Sequence, residues 1–363
     1  MDNIGGAEIV TLTLARELKA DLYTTNIDVE KIKKMGFEDV LNRVFSIGKV
    51  SKKSPFRQQA AFTKFRKLNL SGSYDFFIIS GDWAMSGAFN NHPNIWYAHS
   101  PLNELWALRG RVKREILKVW QKPIYDIWVL INRCLSLKYS KRVDIFVCNS
   151  KNTKNRIKKY YQRNAIIINP PVYTSNYYNN LSKDYWLSVN RLTKNKRIEL
   201  QLKAFSLLPS QKLVIVGSYE QGSDQFETYK KYLCELKPSN VEIIHWEDTK
   251  KIIELYANCK GFITSSRDED FGMTPIEAMA SGKPVIAPNE SGYKETLINK
   301  VTGVLIDDID EGKLAQAILE VDKNLNKNPN MYKEVCIKQA KHFNSSNFIK
   351  KINLLINNKK QSI

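Results

Sequence analysis

The chain has 363 residues, 43% of them hydrophobic, with only 16 Gly and 12 Pro, a composition that buries a large core and excludes a disordered or fibrous chain. Lys and Arg number 56 against 37 Asp and Glu, a net charge of +19, which calls for an anionic partner: nucleic acid, a phosphorylated ligand or an acidic membrane surface. No apolar stretch reaches the roughly 20 residues of a membrane-spanning helix, and five cysteines without a Cys-x-x-Cys pair support neither a disulfide framework nor a zinc site.

Met1-Asp2-Asn3-Ile4-Gly5 has neither the basic nor the apolar region of a signal peptide, so the expected location is the cytoplasm. Gly5-Gly6 open a helix that runs to Leu18. In a doubly wound domain a buried strand precedes such a loop, and four residues are too few for it. The first strand of the amino-terminal domain is therefore expected to be missing, because translation starts upstream of Met1 or the chain is truncated.

Beyond that helix, short runs rich in β-branched and aromatic residues alternate with segments of helical period, the pattern of βα units around parallel sheets. Strands are predicted over Asp21–Thr25, Asp75–Ser80, Asn94–His99, Val143–Asn149, Ala165–Asn169, Trp186–Arg191, Leu213–Gly217, Val241–His245, Gly261–Ser265, Pro284–Ala287 and Gly303–Ile306. Asn169-Pro170-Pro171-Val172 continues neither element type, and the polar stretch after it reads as a linker, so one domain spans 1–172 and the next begins at 173. The fold class is α/β, two doubly wound Rossmann-like domains facing each other across a cleft.

The charge is uneven. Residues 107–163 hold 16 Lys and Arg against three acids, a net of +13. Within the helical segment 102–140, Trp106, Trp120, Tyr125 and Trp128 lie among Arg109, Arg111, Lys113, Arg114, Lys118 and Lys122. This combination suits an anionic membrane surface whose headgroups receive the rings. A solvated basic face over an aromatic core needs the same residues, and no nucleic-acid recognition motif accompanies them.

The densest chemical signal runs from Ser265 to Ala287. It follows a strand, turns through Phe271-Gly272, opens a helix at Met273-Thr274-Pro275 and closes at Gly282. Amides at such a helix start face an incoming anion. Glu269 and Glu277, with seven residues between them, flank that point and can bind sugar hydroxyls beside a diphosphate.

This Glu-x7-Glu segment resembles the hallmark of the retaining glycosyltransferases of family 4, which have the GT-B fold and include mannosyltransferases of surface-polysaccharide and lipid-linked glycan assembly. Three further matches fall in order: Gly5-Gly6-Ala7-Glu8 resembles the glycine-rich first loop, Tyr97-Ala98-His99-Ser100-Pro101 the histidine segment, and Asn190-Arg191-Leu192 with Lys196 the Gly-Arg-Leu…Lys element, Asn190 replacing the usual Gly. These elements run from residue 5 to about residue 306.

The resemblance implies transfer of a sugar from a nucleotide-diphosphate sugar, GDP-mannose by wording of the motifs, to a glycan or lipid-linked acceptor with retention of configuration. Arg191 and Lys196 would hold the diphosphate, so no metal or further cofactor is expected. Glu277 would bind the ribose, Glu269 and His99 the donor sugar, and the backbone of Gly5, Gly6, Phe271, Gly272, Met273 and Thr274 would meet sugar and phosphates. Residues 1–172 would take the acceptor and 173–345 the donor, and 346–363 would cross back as a helix onto the first domain. Several such enzymes attach to membranes, which implies a cytoplasmic protein peripheral at the inner face.

Other readings compete. Thr274-Pro275-Ile276-Glu277 is also a capping box, Asp268-Glu269-Asp270 could be an Asp-x-Asp metal site, and Glu295 is either near the nucleotide or a first-turn acid on a helix. A non-enzymatic basic scaffold binding nucleic acid or membrane is the alternative for the whole chain.

Overall fold

The structure is a computed structural model that describes every residue except 52–55, 102–104, 219–223, 247 and 361–363. The first three residues of the 102–140 segment and the last three of 346–363 therefore lie outside the described residues. The amino-terminal half runs α1 (Gly6–Glu17), β1 (Leu22–Thr24), α2 (Val29–Lys34), β2 (Val44–Ser46), α3 (Phe56–Lys67), β3 (Phe77–Ser80), β4 (Asn94–Ala98), the single turn α4 (Arg109–Arg111), α5 (Gln121–Ser140), β5 (Ile145–Cys148), α6 (Lys151–Tyr161) and β6 (Ile166–Ile167). Its strands form a parallel sheet in the order β3-β4-β5-β6 and a separate parallel pair β1-β2. All five residues of β4 are buried, as a parallel strand covered on both faces requires. Among the described residues no strand precedes α1.

The carboxy-terminal half continues with β7 (Trp186–Arg191), α7 (Ile198–Ser206), β8 (Leu213–Ser218), α8 (Asp224–Leu236), β9 (Val241–His245), α9 (Thr249–Asn258), β10 (Phe262–Ile263), α10 (Met273–Ala280), β11 (Val285–Pro288), α11 (Tyr293–Thr296), β12 (Gly303–Ile306), α12 (Glu311–Lys327), α13 (Lys333–Lys341) and α14 (Ser345–Lys360). Its six parallel strands are ordered β12-β11-β10-β7-β8-β9, so the order reverses between β7 and β10. Open α/β sheets bind ligands outside the carboxyl ends of the strands at such a reversal. Ser150, Asp248 and Asp310 accept the amide three residues on and thereby start α6, α9 and α12. Gly303 opens β12 at φ +142°, where a Cβ would stand 1.9 Å from the carbonyl oxygen of Val285.

The halves are joined twice, side by side. Val172 N donates to Phe343 O and Ser345 N donates to Val172 O, each at 3.0 Å. From there α14 lies on the amino-terminal sheet, where Phe348 and Ile352 join Val10, Leu14, Ile95 and Tyr97 in one buried cluster. No helix among the described residues is long and apolar enough to cross a membrane.

Three particulars differ from the sequence reading. Val44–Ser46 is a strand that was not foreseen, because three half-exposed residues carry no alternation. Of the four rings assigned to a headgroup layer, only Trp120 projects, 66% exposed. Trp106 stacks on Tyr160 with centroids 4.8 Å apart, and Trp128 on Tyr125 at 5.9 Å. The projecting face of α5 is aliphatic instead: Ile124, Ile127, Leu130, Ile131 and Leu137 share one side at helical spacing.

Candidate active site

The site lies where the sheet order reverses. Arg191 is the last residue of β7 and is exposed. The following turn brings Lys196 Nζ to 2.5 Å from Glu269 Oε2, and Ser266 Oγ donates to the same oxygen at 2.9 Å. Burial pushes the Glu269 pKa up, but the charges of Lys196 and Arg191 and the Ser266 hydrogen bond outweigh it and hold the carboxylate below its usual range. Glu269 is thus charged and spoken for before any ligand arrives.

The turn that carries Glu269 is braced from behind. Arg197, in the left-handed region at φ +49°, donates from Nε to Ser265 O at 2.5 Å and pairs with Glu290. Gly292 N donates to Glu269 O at 2.9 Å, and a Cβ on Gly292 would stand 2.5 Å from Phe271 Cα, so the turn rests directly on that glycine. Gly272, φ +84°, is the N-cap of α10 and supplies no side-chain cap, which leaves the first amides of that helix facing outward.

Glu277 does not close a capping box. Tyr256 OH donates to Glu277 Oε2 at 2.8 Å, and burial, opposed by the Tyr256 and Tyr177 hydroxyls, raises its pKa to about 6. Glu295 reaches the other domain: its carboxylate accepts from Lys151 N at 2.8 Å and Asn152 N at 3.1 Å, capping α6. Among the described residues no group of three or more His, Cys, Asp and Glu side chains could hold a metal ion, and Asp270 is engaged by an arginine instead.

That arginine comes from the opposite domain. Arg156 Nη1 donates to Asp270 Oδ1 at 2.6 Å and to Ser100 Oγ at 3.3 Å, so the residue after His99 and the residue after Glu269 share one partner. Gly6 closes the cleft elsewhere, since a Cβ there would stand 3.0 Å from Met273 Sδ. Gly6 with Met273, and through Arg156 the residues after His99 and Glu269, thus meet across the two halves; Lys196 and Glu269 pair at the sheet reversal, Phe271 packs on Phe343, and Glu277 has its contacts with the tyrosines. Arg156 and Arg197 escaped the sequence reading. Only the adjacency of Arg197 to Lys196 could have pointed to either.

His99 Nε2 lies 2.9 Å from Ser80 Oγ, which lies 2.7 Å from Thr11 Oγ1. Burial lowers the His99 pKa to about 4, so the ring is neutral at physiological pH. In the unfolded chain it titrates near 6.5; as pH falls from about 6.5 to 4 the unfolded state takes up a proton that the folded state refuses, and stability drops. His99→Asn should show a shallower loss of melting temperature across that window. Equal slopes in the two proteins would contradict the burial.

Both halves of the chain are similar to known proteins. Residues 176–343 match the family described as glycosyl transferases group 1. The α-1,3/1,6-mannosyltransferase ALG2 of Candida glabrata is 26% identical over 91% of this chain and 85% of its own. The capsular polysaccharide biosynthesis glycosyltransferase CapM of Staphylococcus aureus is 31% identical over 36% of this chain and 34% of its own. Among solved structures, Anabaena HepE in complex with UDP-glucose superposes with a TM-score of 0.74 at 15% identity, covering 99% of this chain and 97% of that one. Sucrose-phosphate synthase of Thermosynechococcus elongatus gives 0.72 at 16%, covering 98% and 92%. Of the two readings of the sequence the enzymatic one stands: the chain carries a glycosyl transferases group 1 domain and is a nucleotide-sugar-dependent hexosyltransferase of GT-B fold.

Proposed function

We propose that the enzyme transfers mannose from GDP-mannose to a glycan or lipid-linked acceptor with retention of configuration, residues 173–345 holding the donor and 1–172 the acceptor. The observation that carries this reading is the cluster of Arg191, Lys196 and Glu269 at the sheet reversal, directly before the open start of α10. A diphosphate that gains charge as the glycosidic bond breaks is bound more tightly by two preorganised cations in the transition state than in the ground state. Once it arrives, Lys196 can exchange Glu269 for phosphate, and the freed carboxylate can take a sugar hydroxyl. The leaving phosphate receives the acceptor's proton, so no protein base is required, and the cations supply the charge that a metal would. In this reading His99, neutral and held by Ser80, would hydrogen-bond the sugar, and Glu277, held by Tyr256, the ribose.

Mannose as the sugar rests on the mannosyltransferase relatives. Release of nucleoside diphosphate across a panel of sugar nucleotides tests it: GDP-mannose should give the fastest acceptor-dependent release, and a preference for UDP-glucose would overturn the donor. Glu277→Gln should weaken donor binding about tenfold or more at an unchanged melting temperature, through loss of charge-assisted bonds. Unaltered affinity would leave Glu277 as a partner of Tyr256 alone.

For the acceptor side we propose a cytoplasmic enzyme, peripheral at the inner membrane face, docking to anionic lipid through the aliphatic side of α5. Lys138 lies on that helix and Arg114 and Lys118 precede it in the chain, all exposed. Apolar side chains beside cations fit an anionic interface, where each basic residue contributes about 1 kcal/mol. Ile127→Asp with Leu130→Asp should reduce binding to phosphatidylserine vesicles at least about tenfold, since about 1.4 kcal/mol already gives that factor. Absence of wild-type binding at low salt would make this a solvated face.

A further inference from the structure

His99 and Glu269 stand in different halves, and one arginine holds the residue that follows each of them. Arg156 Nη1 donates to Ser100 Oγ at 3.3 Å and to Asp270 Oδ1 at 2.6 Å. The ion pair is largely withdrawn from solvent, its side chains 12% and 21% exposed, and removal of one partner there strands the charge of the other.

The arginine is anchored from the amino-terminal side. It sits in the second turn of α6, whose Thr153, Ile157 and Tyr161 are buried, the last two in the same core cluster as Trp96 of β4 and Phe146 of β5. The start of that helix also grips the histidine segment: Asn149 Nδ2 donates to His99 O at 2.6 Å, and Thr153 Oγ1 donates to the same oxygen at 3.5 Å. His99 therefore moves with α6.

From the carboxy-terminal side two acids reach the same helix. Asp270 takes Arg156, and one turn earlier Glu295 takes the amides of Lys151 and Asn152. Both acids belong to one piece, because Gly292 N donates to Glu269 O and a Cβ on Gly292 would stand 2.7 Å from Asp270 O, which leaves α11 no room to shift on the turn. Burial pushes the Asp270 pKa up to about 7, with the Glu269 charge adding to the rise; Arg156 opposes it most, helped by the Ser100 hydroxyl and Lys196. Asp270 thus depends on Arg156 for its charge.

We propose that Arg156 is a positioning residue of the transfer reaction: by holding Ser100 and Asp270 on one guanidinium it sets His99 against the Glu269 turn. It acts through these two neighbours and not on the reacting atoms. This rests on the reading above that the sugar passes between the two segments. A shift of about 1 Å in such a pair can cost about 10²-fold in rate, whereas Arg191 and Lys196 lie on the carboxy-terminal half alone and keep their hold on the diphosphate.

The test compares Arg156→Gln, Asp270→Asn and Arg156→Lys with the parent enzyme. The first two should each lower kcat about 10–10²-fold at unchanged donor affinity, and combined they should cost no more than the worse of them alone. Arg156→Lys keeps a cation for Asp270 and should recover part of the loss. A second readout needs no substrate: amides in the first turn of a helix have no partner within it, so protection of the Lys151 and Asn152 amides reports their contact with Glu295. In Arg156→Gln and Asp270→Asn these two amides should exchange several-fold faster. Should Arg156→Gln fail to fold, Asp270→Asn carries both readouts. Unchanged exchange in the variants overturns the positioning role by itself. Faster exchange with kcat intact removes the transfer from between these segments, and a loss confined to donor affinity makes Arg156 a donor ligand; either result ends the proposal.

Discussion

Arg191→Ala combined with Lys196→Ala is expected to lower turnover by about 10³-fold or more while the fold persists. One preorganised electrostatic donor commonly contributes about 10²–10³, and two that grip the same diphosphate do not add independently. Arg191 is exposed at the end of β7, so its loss removes little packing. Lys196 leaves a charge behind: without it Glu269 keeps only the Ser266 hydroxyl of its two nearest donors, and its pKa should rise. Steady-state release of nucleoside diphosphate with and without chelator is the measurement. Activity of the parent enzyme should survive chelation, and full activity in the double variant would remove the diphosphate from this end of the sheet.

Gly303→Ala should cost about 3 kcal/mol or more of stability, because left-handed backbone strain and overpacking each cost about 1–3 kcal/mol. The neighbour that a methyl would strike is not a side chain that can swing away but the backbone of Val285, with oxygen, nitrogen and carbon at 1.9, 2.6 and 2.7 Å. β12 is the edge of the six-stranded sheet and pairs with β11 over Val285–Pro288, so relief means parting that ladder. At roughly 2–4 °C per kcal/mol for a domain of this size, the melting temperature should fall by about 6–12 °C. A drop under about 2 °C would show that the edge strand slides freely.

The carboxy-terminal half was the more legible one, and for a physical reason. Trp186–Arg191, Val241–His245 and Gly303–Ile306 are observed with the ends the sequence suggests, because polar turn residues bound them: Lys183-Asp184 before the first, Ser239-Asn240 before the second and Asp307-Asp308 after the third. The spacing of Glu269 and Glu277 was visible as well, but not what holds them. Tyr256 lies 21 residues from Glu277 and Arg156 lies 114 from Asp270, and a pair across that distance leaves no local pattern. The rings of Trp106 and Trp128 were misplaced because a surface aromatic and a stacked one look alike in sequence. Their partners Tyr160 and Tyr125 decide the matter.

The paired crossings at Val172 and Phe343–Ser345 have a mechanical consequence. The two crossings are hydrogen-bonded side by side, so the point about which the halves move apart lies there. Displacement on opening is then smallest beside Phe271, whose ring packs edge-on against Phe343 with centroids 5.5 Å apart, and larger with distance from it. Opening there separates Arg156 from Asp270 and Glu295 from the start of α6 without disturbing the brace behind Glu269, so the Glu269 turn keeps its shape while the amino-terminal half swings away.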